Sequence, residues 1–204
     1  MYRKFIKRVL DIIISLCVLP FVIIEIIVLG PVIFLTDRGS IFYNADRLGK
    51  NGKTYKMFKL RSMKVNAPDL RNEDGSTFNG DDDPRVTKIG RIMRKTSMDE
   101  FPQFLNVLLG DMSLIGPRPT VPVPGFNVEK LNDIEKKHYN VKPGITGYSQ
   151  AYYRNSINQE QKMQNDAFYA DKLSFLLDVK ILIQTVKSVL LRENIYNGDQ
   201  QNGK

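Results

Sequence analysis

The longest feature of the hydrophobic pattern is an apolar run from Ile12 to Leu35, interrupted only by Ser15, Pro20, Glu25, Gly30 and Pro31. It is long enough to cross a bilayer. Arg3, Lys4, Lys7 and Arg8 precede it, and the following stretch 38–61 holds seven basic residues against one acid. Basic flanks stay on the cytoplasmic side, so a straight span cannot satisfy both ends. A helix broken at Pro20, which removes an N–H and crowds the preceding turn, can enter and leave on one face. Glu25 agrees, because an ionisable group costs less near a shallow bend than at the centre of a span. A single span kinked at Pro20 and a buried core helix are the alternatives. A signal peptide fits poorly, because the run is too long and no small-residue cleavage site follows.

Beyond the run the pattern changes. Ile41–Tyr43 and Tyr55–Leu60 have strand-like aromatic content and are joined through a Gly49–Gly52 turn, which predicts a β-hairpin. The stretch 66–83 is polar and rich in Asp, Asn and Gly, hence a solvent loop. Asp83 as N-cap and Pro84 at the first helical position predict a helix with Val86, Ile89 and Met93 as its apolar stripe. Arg85, Lys88, Arg91, Arg94 and Lys95 make the rest of it basic. Such a run is ordinarily a solvated face, but this one leads straight into the acid pair Asp99-Glu100.

That pair opens the central segment, Thr96 to Pro119. With Ser97 as N-cap, Glu100 completes a capping box. With Asp99 as N-cap, Pro102 falls in the first turn, where its missing N–H costs nothing, and this start is preferred. Either way Asp99 lies at a helix N-terminus, where free N–H groups and the dipole hold a carboxylate ionised. Phe101, Phe104, Leu105 and Leu108 follow at helical spacing, and Gly110 stops the helix. By spacing alone this is a capped core helix. Phosphates beside the acid pair would need the cationic surroundings that precede it. Pro117 and Pro119 then fix the backbone around Arg118, which is either a presented guanidinium or an exposed turn residue.

Helices are predicted over Val128–Asn140, over Ile157–Lys172 with Met163, Ala167 and Phe168 on one side, and over Ser174–Leu191. The last carries a stripe of Phe175, Leu176, Val179, Leu182, Ile183, Val186, Val189 and Leu190, suited to the core or to a membrane interface. Lys142–Gly147 is a punctuated loop, and the tail after Arg192 is polar and frayed. A chain of 204 residues holds one domain of ordinary size. Its formal charge of +8 points to an anionic partner: phosphates, nucleic acid or an acidic membrane surface. The single Cys17 excludes an intramolecular disulfide and reads as buried and inert, and the single His138 lacks the thiolate partners of a zinc site.

Taken together, these motifs resemble the bacterial sugar transferases, the monotopic phosphoglycosyl transferases that begin polyprenyl-linked glycan assembly. The resemblance covers nearly the whole chain: the basic N-terminus with its Pro-interrupted apolar segment, Tyr55–Met63, Arg94–Pro119, Val141–Gly147 and Ser174–Lys180. It implies a mostly α protein of α/β class with a short β-hairpin. Residues 1–38 would form a re-entrant membrane helix hairpin, 39–192 a small cytoplasmic catalytic domain with amphipathic interface helices, and 193–204 a polar tail. It further implies Mg²⁺-dependent transfer of sugar-1-phosphate from a UDP-sugar to undecaprenyl phosphate at the bacterial cytoplasmic membrane, with UMP leaving. A homodimer is allowed.

On that resemblance Asp99 is the nucleophile and the Mg²⁺ ligand, and Glu100 supports the metal or acts on the incoming lipid phosphate. Arg94 clamps phosphate, Lys59 is a more distant cation, and Arg118, held by Pro117 and Pro119, takes the nucleotide end. Arg154 and Asp178 are further substrate-binding candidates. Two departures stand out: Leu19 precedes Pro20 where relatives carry Ser, and Tyr148-Ser149-Gln150 replaces Trp-Ala-Gln. A basic membrane-anchored binding module competes with the enzyme, but two acids within a basic surface oppose polyanion binding. Nucleic acid is disfavoured by the apolar anchor and by the lack of a recognition motif. Nothing in these motifs separates glucose from galactose or an N-acetylated hexosamine.

Overall fold

In the computed structural model, which describes residues 1–70, 78, 80, 82–153 and 156–191, the apolar run is one helix, α1 (Lys7–Asp37), led by a π-helical turn at Tyr2–Ile6. The break expected at Pro20 does not divide it: Pro20 and Pro31 both lie inside a single helical element. What α1 buries is unusual. Asp11, Ser15, Glu25 and Gly30 share the buried face with Val22 and Ile33, while Ile13, Leu16, Phe21, Ile23, Ile24, Ile27 and Val28 are exposed. In water each such exposed side chain forgoes about 1.5–3 kcal/mol of burial, so this inverted pattern suits apolar surroundings. Cys17, expected to be buried, is exposed on the same helix.

Both ends of α1 are tied to the rest of the chain by polar groups. Near its start, the Arg8 guanidinium donates to the Val107 and Leu108 carbonyls, and Asp11 Oδ1 accepts from Leu114 N at 3.1 Å. At its end, Asp37 pairs with Arg61 at 2.7 Å and accepts from Val65 N at 2.9 Å.

The hairpin forms, with strands displaced from the expected positions. β1 (Ala45–Leu48) and β2 (Thr54–Met57) pair antiparallel, with Arg47 opposite Tyr55, around a 3₁₀ turn at Lys50–Gly52. Ile41–Tyr43 continues the pairing only irregularly, through Tyr43 N to Lys59 O and Arg61 N to Ile41 O, each 2.9 Å. α2 (Lys88–Thr96) begins later than predicted, because Asp83 turns its carboxylate onto Arg85 instead of capping; Thr87 Oγ1 caps the helix by accepting from Gly90 N at 3.0 Å. Val86 therefore lies outside the helix.

Asp99 is not an N-cap. Ser97 ends α2 in the left-handed region (φ 58°) and turns the chain into a 3₁₀ segment at Met98–Glu100, and α3 (Gln103–Leu109) starts only after Pro102. No side-chain capping bond forms at Ser97, so the capping-box alternative fails as well. The fully buried Asn106 of α3 works as a surrogate strand: Oδ1 accepts from Phe58 N at 2.8 Å and Nδ2 donates to Lys56 O at 2.7 Å. This fixes the end of β2 against the acid-bearing turn.

Two three-residue strands that the pattern did not reveal, β3 (Ser113–Ile115) and β4 (Gly144–Thr146), pair in parallel. Their flanking glycine motifs meet backbone to backbone: a Cβ on Gly116 would fall 2.2 Å from Lys142 O, and one on Gly144 would fall 2.1 Å from Gly116 N. Only glycine permits that approach.

α4 (Asp133–Tyr139) follows a 3₁₀ turn at Val128–Lys130 and packs on α6 (Gln159–Lys172) through a buried His138–Asp166 contact of 2.8 Å. In α6 it is Asp166, Ala167, Tyr169 and Ala170 that are buried, whereas Phe168 is exposed. α5 (Tyr148–Tyr152) rests on α7 (Phe175–Leu190), whose N-cap is Ser174. α7 turns Asp178, Ile181 and Ser188 inward and leaves Phe175, Leu176, Leu182, Ile183, Val186 and Val189 open. Its apolar stripe is therefore not core. The core it joins is built from Ile115, Val141, Ala151, Tyr169, Ala170 and Ile181. Arg154 and the tail after Leu191 lie outside the described residues.

Candidate active site

The acid pair sits where four local choices converge. The left-handed Ser97 swings the chain back, the 3₁₀ turn points Asp99 inward, Asn106 anchors β2, and Leu60 N donates to the Asp99 carbonyl at 3.0 Å. Lys59, next to Leu60, is thereby delivered to the acids. Its Nζ lies 2.8 Å from Asp99 Oδ2 and 3.4 Å from Glu100 Oε1. Asp99 is 2% exposed. The ammonium approaches Oδ2 out of line for a hydrogen bond, so that buried oxygen has a counter-charge but no aimed donor among the described residues.

Glu100 lies nearer the surface, between Lys59 and Arg118, whose guanidinium reaches to 3.5 Å of Oε1. Burial alone would raise its pKa; Lys59 and Arg118 together outweigh burial and hold the carboxyl below the ordinary glutamate range. The Arg118 side chain is 66% exposed and lies between Pro117 and Pro119 in the chain. Pro119 adjoins Thr120, whose carbonyl accepts from Leu48 N at 2.9 Å and docks the end of β1 against this segment.

The sequence-predicted residues divide accordingly. Asp99, Glu100, Lys59 and Arg118 come together, and Lys59, ranked as distant, is the ion-pair partner of both acids. Arg94 directs Nε to Ser62 Oγ at 3.0 Å, on the segment just beyond Lys59. Asp178 belongs to another cluster: it receives Tyr2 OH at 2.6 Å, Lys7 Nζ at 2.7 Å and Tyr169 OH at 2.8 Å, and so pins the N-terminus to α7.

Two groups, Arg47 and Tyr55, escaped sequence reasoning, and a third, Glu25, was read without its surroundings. Arg47 was one basic residue among seven, with no signal until β1 was docked against Thr120. Tyr55 read as a strand aromatic, yet its buried hydroxyl has no partner among the described residues. Glu25 did stand out, but not its surroundings. It is 6% exposed, neither carboxylate oxygen has a hydrogen-bond partner among the described residues, and it lies within electrostatic reach of Asp99. The helix around it, through Ile26, Leu29 and Ile33, packs on Leu60, Met93 and Met98, which back the acid-bearing turn. The apolar helix and the acid pair are thus neighbours.

The chain belongs to the bacterial sugar transferase family, whose model matches residues 2–192. It is 39% identical over 189 residues to an uncharacterized sugar transferase, EpsL, of Bacillus subtilis, covering 93% of this chain and 89% of that one. It is 42% identical over 164 residues to the galactosyl transferase CpsE of Streptococcus agalactiae, covering 76% of this chain and 36% of that one. It is 35% identical over 189 residues to the UDP-glucose:undecaprenyl-phosphate glucose-1-phosphate transferase of Escherichia coli, covering 90% of this chain and 40% of that one. The chain therefore spans less than half the length of the last two relatives and most of the first.

Proposed function

We propose that this protein transfers sugar-1-phosphate from a UDP-sugar to undecaprenyl phosphate, releasing UMP, as the first membrane step of exopolysaccharide, capsule or glycoconjugate assembly. The observation that carries this reading is the buried Asp99 carboxylate held at 2.8 Å by Lys59, beside Glu100 and Arg118 and backed by the apolar helix. A phosphate electrophile needs such a pairing of nucleophile and cations.

In the first step an Asp99 oxygen attacks the β-phosphorus, the bond from that phosphorus to the bridging oxygen breaks, and UMP departs with the electron pair. The product is an aspartyl-phosphosugar. In the second step an oxygen of undecaprenyl phosphate attacks the same phosphorus, the acyl-phosphate bond breaks, and Asp99 is regenerated. Lys59 orients Asp99 between turnovers, and Arg118 and Arg94 are the phosphate-binding cations. Glu100 acts on the lipid phosphate or supports the metal.

The acids also fit Mg²⁺ of the kind that takes one or two carboxylates and completes its shell with water and substrate phosphates. Asp99 Oδ2, buried without an aimed donor, is the protein ligand, and Glu100 adjoins it. No group of three or more His, Cys, Asp or Glu able to hold a metal occurs among the described residues, so substrate would supply the remaining ligands. When bound, the ion offsets the repulsion between carboxylate and diphosphate.

We further propose that residues 1–38 dip into one leaflet and return, leaving a catalytic domain of residues 39–192 on the cytoplasmic side. A straight helix of this length reaches about 45 Å, well beyond the hydrocarbon thickness. Arg8 and Asp11 at one end and Asp37 at the other nevertheless bind the same small domain, which supports a return to one face. The open apolar stripe of α7 supports contact with the membrane surface.

The test is mass spectrometry of detergent-purified protein incubated with Mg²⁺ and a panel of UDP-sugars, without acceptor. A sugar-phosphate adduct on the peptide containing Asp99, with release of UMP, is the expected result. Turnover at the wild-type rate in Asp99→Asn would falsify the covalent route and leave direct attack by the lipid phosphate.

A further inference from the structure

The Arg47 guanidinium has no counter-ion in contact among the described residues. The side chain is half-buried, and among the described residues it makes one hydrogen bond, a donation to the carbonyl of its neighbour Asp46 at 2.9 Å. The Asp46 carboxylate is taken by Lys56, 2.9 Å away, and no carboxylate contacts Arg47 among the described residues. Burial lowers its pKa, and so does the positive charge of nearby Arg118. The two guanidiniums are thus within electrostatic reach of each other, an arrangement that an anion between them would favour.

A second observation concerns the residue directly across the hairpin. Tyr55 pairs with Arg47 in the β1–β2 register, so both side chains leave the same face of the ribbon. The Tyr55 ring is 9% exposed, and its hydroxyl is buried with no hydrogen-bond partner among the described residues. A buried O–H without a partner among the described residues thus lies across from Arg47, on a ring packed against Val107 and Met112, and Arg47 is in turn within electrostatic reach of the exposed Arg118. Leu48, the next residue after Arg47, donates to the Thr120 carbonyl and holds that edge against the Arg118 segment. Arg118 in turn reaches Glu100 at 3.5 Å, so this edge adjoins the acid pair.

We propose that Arg47, together with Arg118 and the Tyr55 hydroxyl, forms a phosphate-receiving station beside the acid pair, and that its occupant is the phosphate of the departing nucleoside monophosphate. This assignment rests on the transferase reading above. A polyprenyl phosphate carries the same chemistry, but it arrives along α1, which packs on Leu60, Met93 and Met98. Arg47 lies on the hairpin, whose Gly52 turn abuts Phe126 and Val128 on the soluble part of the chain. With UMP seated there, the leaving group's charge is shared by two forks, and Arg118 is drawn off Glu100 as the nucleotide departs from the phosphorus.

The test uses the full chain in detergent and calorimetric titration with UMP, beside steady-state kinetics with a UDP-sugar and undecaprenyl phosphate. Losing a charged, forked contact, Arg47→Ala is expected to weaken UMP binding by at least roughly tenfold and to lower kcat/KM for the donor by a similar factor. Arg47→Lys, which keeps charge but not the fork, falls between the two, and Tyr55→Phe weakens UMP by a smaller factor. The KM for undecaprenyl phosphate stays near wild type. Unchanged UMP affinity in both Arg47→Ala and Tyr55→Phe overturns the station, as does a defect confined to undecaprenyl phosphate, which would give the site to the lipid. UMP binding is read without turnover, so a wild-type protein that binds UMP through Arg47 yet releases none from any UDP-sugar refutes the transferase reading and not the station.

Discussion

Lys59 Nζ contacts Asp99 Oδ2 at 2.8 Å and Glu100 Oε1 at 3.4 Å, so one ammonium serves two adjacent carboxylates. The three groups are almost out of water, with side-chain exposures of 21%, 3% and 22%. At that burial an unpaired carboxylate is expensive. Lys59 is therefore the group that lets these two adjacent acids coexist, and on the proposed mechanism it yields part of Asp99 when a phosphate arrives.

Lys59→Met follows directly. The variant leaves two carboxylates repelling each other with only Arg118 in reach of Glu100, at a cost of about 3 kcal/mol in stability. UMP release falls by more than roughly tenfold, because Asp99 loses the contact that orients it. A melting curve and a UMP assay check both parts. Wild-type activity in this variant would mean that the contact has no part in the reaction.

Asp178 is predicted to act on stability rather than on substrate. It accepts from Tyr2, Lys7 and Tyr169, and Asp178→Ala leaves a buried ammonium and the Tyr2 hydroxyl without this acceptor, while Tyr169 keeps the Ile115 carbonyl at 3.0 Å. The expected loss is about 3–5 kcal/mol, seen as a lowered melting temperature in detergent, with UMP affinity of the folded fraction unchanged. A variant that melts like wild type but binds UMP poorly would return Asp178 to the substrate site.

The Asp83–Arg85 pair carries a pH signature. Arg85 donates to the Asp83 carboxylate at 2.7 Å and also binds the Phe78 and Pro68 carbonyls, closing the base of the polar loop. The hydrogen bond from Arg85 outweighs burial and holds the Asp83 pKa below its ordinary value. The folded pKa is therefore below the unfolded one. The pair's contribution is full above the unfolded aspartate pKa and is lost as pH falls through the folded value. Asp83→Asn should melt lower than wild type near neutrality, with the difference shrinking as the pH is taken below about 4. A difference that stays constant down to acid would remove the ionic part of this account.

Cys17, the single cysteine, reports on the membrane helix because it is exposed there. In intact membranes a charged, water-soluble maleimide is expected to leave it unmodified, while denaturing detergent opens it to the same reagent. Tags on both termini should be shielded from the outside of intact cells. Rapid labelling of native Cys17 by the charged reagent would place α1 in water, and external labelling of the N-terminus alone would make α1 a straight span.

What the sequence determined by itself was local. The apolar run, the hairpin turn at Gly49–Gly52, the Ser174 cap of α7 and the acid pair next to a basic stretch are all readable because each depends on neighbours within a few residues. Propensity, capping and hydrophobic period act over that range. Asp83-Pro84 and Asp99 misled for the same reason: both carry good N-cap chemistry, but Arg85 drew Asp83 away, and the left-handed Ser97 placed Asp99 in a 3₁₀ turn.

Only the tertiary structure decided who meets whom. Lys59 reaches Asp99 because Asn106 ties α3 to β2 and Leu60 N bonds the Asp99 carbonyl. Arg47 reaches the Arg118 segment because Leu48 pairs with Thr120. The parallel β3–β4 pair is too short to leave a periodic trace, and rests on glycine backbones that touch across the chain. An amphipathic stripe states that a helix has two faces; whether the apolar face of α7 turns to core or to membrane depends on which side Asp178, Ile181 and Ser188 find their partners. Those partners are distant in sequence, and no local pattern encodes them.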